Sequence, residues 1–294
     1  MNTLKKNKIK DKLAPIFFIG PHLIFFLIFV VFPFFYGIVI SFTKWDMMGT
    51  PKFVLFDNYI TLFTKGNVFN TSFIEGLKAT VTYTVFMVPL LIIVPLLFAV
   101  LLLAVKNEKL RGVFQAILYA SSVLSVATVV LTWDLLLDRE LGLINNWLQI
   151  ETNWKGEQPY AWISIFAFSL WAGIGGNMII FMSSISGISN SLYEAAELDG
   201  ANVVQKFFYI TLPCIRFTLL YSIVMGTIGG FNVYGQTYMF SGPSNTHSLM
   251  QYIQEFAFGD ATPMAGMASA MSVLLGLIIS AFSLVQFKLM KGND

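Results

Sequence analysis

Residues Ala79–Val105 read ATVTYTVFMVPLLIIVPLLFAVLLLAV, with no Asp, Glu, Lys or Arg anywhere in the run. The stretch is continuously apolar rather than alternating, so it reads as a helix and not as a barrel strand. A bilayer core about 30 Å thick takes about 20 helical residues to cross, and this run exceeds that. Five more charge-free runs lie around it: Leu13–Phe42, Gly112–Trp133, Gln158–Tyr193, Phe217–Gln254 and Ala261–Phe287. The fourth and fifth in chain order are too long for one crossing and carry polar, glycine-rich ends. Trimmed accordingly, the expected spans are about 14–42, 78–105, 112–137, 160–186, 214–240 and 264–288. The expected fold class is all-α, a polytopic membrane protein with six transmembrane helices. A tail at 1–12 precedes one membrane domain at 13–294.

Composition agrees. Of 294 residues, 56% are apolar and 12% charged, about half the charged share usual for soluble domains, and 29 Phe outnumber 18 Lys+Arg. A net charge of +2 with scattered cations points to no nucleic acid. One cysteine, Cys214, excludes a disulfide framework within the chain, and His22 and His247 stand apart with no zinc spacing. No Gly-x-x-x-x-Gly-Lys-Ser/Thr occurs, so nucleotide phosphates have no cradle in this chain.

Lys and Arg in the loops set the orientation. With the amino terminus inside, segments 1–13, 106–111, 187–216 and 288–294 hold twelve of the eighteen cations, and the outer loops hold six. Both termini are therefore expected in the cytoplasm. The first apolar run is too long for a secretory signal and lacks a small-x-small cleavage site, so it reads as an uncleaved helix. No internal repeat is evident, and the outer loop 43–75 has room for a short helix or cap.

The segment between the fourth and fifth spans, about 187–213, reads GISNSLYEAAELDGANVVQKFFYITLP. It predicts helix, turn, helix. Ser191 with Glu194 matches a capping box, Gly200 suits a left-handed helix end, and Pro213 ends or kinks the second helix. A free helix of two turns is marginal in water, so the first one must dock on something. Ala195 and Ala196 make a smooth patch among Glu194, Glu197 and Asp199.

Glu194-Ala195-Ala196, Asp199-Gly200-Ala201, then Phe207 or Phe208, Ile210, Leu212 and Pro213 resemble the cytoplasmic loop signature of importer-type ABC transporter permeases, in their carbohydrate (maltose-type) branch. Ser41–Trp45, Gly142–Asn145 and Ser241–Pro243 stand where that family has similar words. The resemblance implies a coupling helix between helices 4 and 5 that inserts into a cleft of a separate ATPase. Glu194, Ala195, Ala196, Asp199, Gly200 and Ala201 would make that joint. It implies two ATPase subunits that carry the ATP and Mg, so this chain holds no cofactor or metal and is a transport subunit rather than an enzyme. It further implies a second, homologous permease, an extracytoplasmic solute-binding protein, and a sugar, di- or oligosaccharide, as cargo. The place is the cytoplasmic membrane of a bacterium. The family's sugar-contacting positions fall on Ser169, Gly173 and Gly176 of the fourth span and Asn232 of the fifth, with Asn177 a further polar candidate.

The spans carry packing signals too. Gly226-x-x-x-Gly230 permits close helix approach, Gly266, Ala270, Ser272 and Gly276 offer a second seam, and Pro89 and Pro95 interrupt the second span. Each path candidate could equally be an interhelical hydrogen bond. Midplane ionisable groups are absent, which favours a neutral solute. An ion-coupled secondary transporter is the rival, and it predicts inverted repeats and buried carboxylates that this sequence lacks.

Overall fold

A computed structural model describes residues 18–259 and 264–291. The expected tail 1–12, its five lysines and the first residues of span one lie outside the described residues, as do 260–263 and 292–294. The chain is mostly helical, and the one strand pair among the described residues is two residues long on each side. Four helices are long and apolar enough to cross a bilayer: Phe18–Ser41, Val68–Leu103, Tyr160–Ser186 and Ala265–Lys288. Two bent pairs raise the number to six if each pair is one crossing.

The described residues divide into two compact units, 18–67 with 253–259 and 264–274, and 68–252 with 275–291. In the first, α1 (Phe18–Ser41) runs into a hairpin, β1 (Thr43–Lys44) against β2 (Lys52–Phe53), and then α2 (Asp57–Phe63). Asn58 ties these together by donating its amide to the carbonyls of Ser41 and Thr43 at 2.8 and 2.9 Å. Gly266 lies so close to the Thr43 carbonyl that no Cβ fits there.

The second unit is built on α3 (Val68–Leu103), which begins ten residues before the expected span and stays continuous through Pro89 and Pro95. It is followed by α4 (Glu108–Val123), α5 (Val126–Leu136), the short α6 (Leu143–Leu148) and the long α7 (Tyr160–Ser186). Next come α8 (Asn190–Leu198), α9 (Val203–Cys214), α10 (Arg216–Phe231), α11 (Gly235–Phe240) and the start of α12 (Leu249–Phe258), whose residues from Ile253 onward belong to the first unit. The last helix is α13 (Ala265–Lys291), which belongs to the first unit up to Leu274 and to the second from Leu275. Helix α7 packs along α3, and Phe168, Phe181, Met87 and Ile165 are almost wholly buried in that seam. Lipid is as apolar as these side chains, so close fit rather than water exclusion holds such helices together. Gly226 and Gly230 bring α10 against Val88 and Thr84 of α3, where a Cβ at 230 would sit 2.8 Å from the Thr84 hydroxyl.

Two expected spans differ from single helices. The third, 112–137, bends by 100° between α4 and α5. Ser125 is extended there and its hydroxyl accepts the Thr128 N–H, so a new helix starts at that point. One turn earlier, Ser121 and Ser122 donate at 2.7 Å to the carbonyls of Trp171 and Ala172 on α7. The fifth, 214–240, stops at Phe231 and resumes as α11, while α9 meets α10 at 69°. In α9 the turn Phe207–Thr211 widens to i→i+5 bonding just before Pro213, and in α1 the turn Leu27–Val31 does so before Pro33. A proline has no N–H to give. The wider turn passes the ladder from Phe207 to Leu212, and from Leu27 to Phe32, beside the missing donor.

Candidate functional site

Helix α8 is a nine-residue arm with no buried residue. Its first turn departs from the expected capping box. Ser189 is the N-cap, without a side-chain bond, and the Ser191 hydroxyl meets Ser189 Oγ at 2.7 Å instead. Glu194 therefore projects to the surface. The capping box forms at the next helix: Asn202 accepts the Gln205 N–H at 2.9 Å, and Gln205 accepts the Asn202 N–H at 2.8 Å. Asn-x-x-Gln carries the same spacing signal as Ser-x-x-Glu. At 191 the signal loses because the helix has already begun at Asn190.

The end of α8 is a Schellman turn. Gly200 takes φ +77°, its N–H donates to Glu197 O at 3.0 Å, and the Ala201 N–H donates to Ala196 O at 2.8 Å. The arm is braced on α9 by the Tyr193 and Thr211 hydroxyls at 2.9 Å and by Lys206 Nζ on Glu197 Oε1 at 2.6 Å. Lys206 is 17% exposed and Glu197 65%, so this pair sits partly out of water. Glu194, Ala195, Asp199 and Gly200 face outward with Leu198, which is 90% exposed, and Ala196 and Ala201 are half-buried. An exposed leucine and alanines framed by carboxylates are suited to a protein partner. Between α3, α9 and Leu219 of α10 lies an open apolar cavity of about 550 Å³ lined also by Ile92, Leu96, Val100, Val204 and Phe207.

The path candidates separate. On α7, Ser169 and Gly173 turn toward α3. The Ser169 hydroxyl is buried beside the Tyr83 phenol, but the two do not meet hydrogen-bond geometry. A Cβ at Gly173 would lie 2.5 Å from Leu91 Cδ2, so any side chain there must first displace Leu91. Asn177 donates back to the Gly173 carbonyl at 3.1 Å. Gly176 has nothing within 4 Å of a Cβ and borders open space. Asn232 lies apart, exposed at the end of α10, and donates to Ile228 O at 2.8 Å. No hydrogen bond joins it to the four α7 positions among the described residues.

Sequence reasoning missed the residue that seats α4 on α7. A Cβ at Gly175 would come within 2.5 Å of Tyr119 Cα and 2.6 Å of Leu118 O. The neighbouring pair Gly175-Gly176 and the Ser121-Ser122 pair inside an apolar run were the available signals. Asp134, on α5, is paired with Lys155, whose Nζ donates to its two oxygens at 2.9 and 3.0 Å. Both partners are more than a third exposed, so the pair adds little stability.

The described residues thus hold apolar helices of membrane-spanning length and a short exposed arm that ends on a left-handed turn. Residues 60–291 match the family described as binding-protein-dependent transport system inner membrane component. The chain is 30% identical over 292 residues to the probable ABC transporter permease protein YurN of Bacillus subtilis, covering 96% of this chain and 97% of that one. It is 29% identical to the arabinooligosaccharides transport system permease protein AraP of Halalkalibacterium halodurans, over 95% of this chain and 88% of the relative. The fold is similar to a chain of a bacterial alginate ABC transporter crystallised with an alginate pentasaccharide-bound periplasmic protein. There the TM-score is 0.81 at 23% identity, over 96% of this chain and 94% of that one. The chain belongs to the binding-protein-dependent transport system inner membrane component family and is embedded in a membrane.

Proposed function

We propose that this chain is the membrane-spanning permease subunit of an ATP-driven sugar importer, moving a di- or oligosaccharide by alternating access. The observation that carries the proposal is α8, an arm too short to stand alone, fixed at both ends and left with Leu198 and Ala195 uncovered. Its counterpart is an ATPase subunit, and two such subunits hold the ATP and Mg. Glu194, Ala195, Ala196, Asp199, Gly200 and Ala201 form the joint. A second, homologous permease completes the pathway, and an extracytoplasmic binding protein delivers the solute. The relatives' arabinooligosaccharide and alginate names support a sugar, and the uncharged polar candidates Ser169, Gly173, Gly176, Asn177 and Asn232 suit hydroxyl-rich cargo. In this proposal each bent pair is one crossing, which makes six within residues 13–294, and both termini are cytoplasmic.

The test is uptake of radiolabelled di- and oligosaccharides by proteoliposomes holding the chain with its companion permease, ATPases and binding protein. Uptake that requires ATP, and is lost when the ATPases are omitted, is the expected result. Uptake driven by an ion gradient without them would replace the proposal with an ion-coupled carrier.

A further inference from the structure

The segment between α5 and α7 contains Gly142-Leu143-Ile144-Asn145, and there a buried asparagine lies under exposed apolar side chains. Asn145, on α6, is 3% exposed. Its amide donates to Arg139 O at 3.1 Å and Thr152 O at 2.9 Å, and its oxygen accepts the Trp154 indole N–H at 2.7 Å. Gly142 admits no Cβ, which would meet Asp138 N at 2.7 Å and Leu136 O at 2.8 Å. Asp138 Oδ1 accepts the N–H groups of Glu140 and Leu141 at 3.0 and 2.8 Å. This polar knot holds α6 with the Asn145 amide inward, beside Ile144 packed on the core, and with Leu143, Trp147 and Leu148 outward. Trp147 is 85% exposed and Leu143, one turn before it, 66%, flanked by Leu141 and Leu148. A helix facing water would show the reverse order. A buried polar residue under an exposed apolar row is the informative departure.

On α5, Leu131 and Leu135 are exposed as well. Charged and polar Arg139, Glu140, Gln149 and Glu151 flank α6. A six-residue helix is about 9 Å long, so its one-sided face is far below the roughly 1,000 Å² of a stable protein interface. We propose that α6 is an interfacial anchor whose partner is the phospholipid surface of the bilayer. The helix lies in the headgroup layer of the leaflet in which α5 ends, with Leu143 and Trp147 at the acyl boundary. Trp favours that layer because its ring is apolar and its N–H polar, and short amphipathic helices bind there through their apolar face. The anchor fixes the depth of α5, whose Trp133 packs edge-on to Trp171 of α7 at 6.2 Å between ring centroids.

The experiment places single nitroxide-labelled cysteines at 143, 147, 146 and 151 in a Cys214→Ser background, since Cys214 is free and exposed. The assembled transporter is reconstituted in phosphatidylethanolamine–phosphatidylglycerol liposomes, and collision rates with oxygen and with a water-soluble nickel chelate are measured. The expected result is an oxygen-to-nickel ratio several-fold higher at 143 and 147 than at 146 and 151. Equal ratios at all four sites would place α6 in water and overturn the proposal. Low access to both reagents at 143 and 147, with or without binding protein, would mean that a protein covers the face, and would overturn it equally. Each cysteine replaces an exposed side chain and leaves Asn145 in place, so the knot persists in every sample.

Discussion

Gly200 offers a quantitative test of the arm. With φ at +77° and nothing within 4 Å of a built Cβ, a side chain there meets no neighbour. The whole cost of substitution is therefore backbone strain, about 1–2 kcal/mol for an L residue held left-handed. The native turn is kept by two hydrogen bonds, Gly200 to Glu197 and Ala201 to Ala196, each worth about 0.5–1.5 kcal/mol net. Strain of that size competes with the bonds directly, and 1–2 kcal/mol is roughly a 5- to 30-fold change in a two-state ratio. Asn tolerates this region better than other non-glycine residues, and β-branched side chains tolerate it worst. Activity should therefore fall in the order Gly, Asn, Ala, Val. The assay is binding-protein-stimulated ATP hydrolysis per purified complex in proteoliposomes, with subunit stoichiometry measured on the same sample. Gly200→Val should lose most of the stimulation and Gly200→Asn only part of it. Wild-type stimulation in Gly200→Val at full stoichiometry would refute the coupling role. Equal loss in Asn and Val would refute the backbone argument.

Adjacent glycines should behave in opposite ways: Gly175→Ala overpacks α4 against α7 at a cost of about 1–3 kcal/mol, while Gly176→Ala is silent. Melting of the detergent-solubilised complex followed by size-exclusion fluorescence separates them. Asn145→Leu leaves the Trp154 indole and two carbonyls unpartnered, a loss of about 1–3 kcal/mol for each group that stays buried, and limited proteolysis should cut 138–155 faster. The N–H groups of Leu141 and then Glu140 hold the Asp138 carboxyl below its ordinary value. A lowered folded pKa means the carboxylate's contribution is present above an unfolded value of about 3.9 and is lost as pH falls through the folded one. Trp154 fluorescence should thus report loosening of the loop on acidification below that value, and Asp138→Asn should flatten the response.

What the sequence made legible follows from the range of the forces involved. The spans at α1, α3, α7 and α13 appear as charge-free runs because crossing lipid is a demand on every residue in turn. The same filter cut α3 short at its start. Glu75 and Lys78 lie inside the helix, and a charge scan cannot tell a helix leaving the bilayer from a helix ending. The 100° bend at Leu124–Ser125 was illegible for another reason. Its serines are spent on carbonyls of α7, fifty residues away, and an apolar run with three serines reads as an ordinary span. The break after Phe231 escaped likewise, because the run from Phe217 to Gln254 has no charge to mark it.

The two proposed sites differ in the same way. Every bond that shapes α8 lies between residues 189 and 211, from the Ser189–Ser191 contact to the Tyr193–Thr211 brace. Short-range chemistry of that kind is written in local spacing, and the left-handed Gly200 could be read from it. A solute path depends instead on which helix faces stay uncovered, and that is decided by helices far away in sequence. The fold spends Ser169 and Gly173 on the contact with α3, through Tyr83 and Leu91. Ser169 is buried there, so a sugar could reach it only if α3 withdrew from α7. Gly176 and Asn232 need no such movement, since one borders open space and the other is exposed with its amide tied to its own helix. That tie uses an N–H and leaves the Asn232 oxygen as an acceptor for a sugar hydroxyl. Of the five path positions proposed, these two are therefore where Gly→Leu and Asn→Ala changes should alter uptake without altering assembly. The same changes at Ser169 and Gly173 would confound uptake with packing.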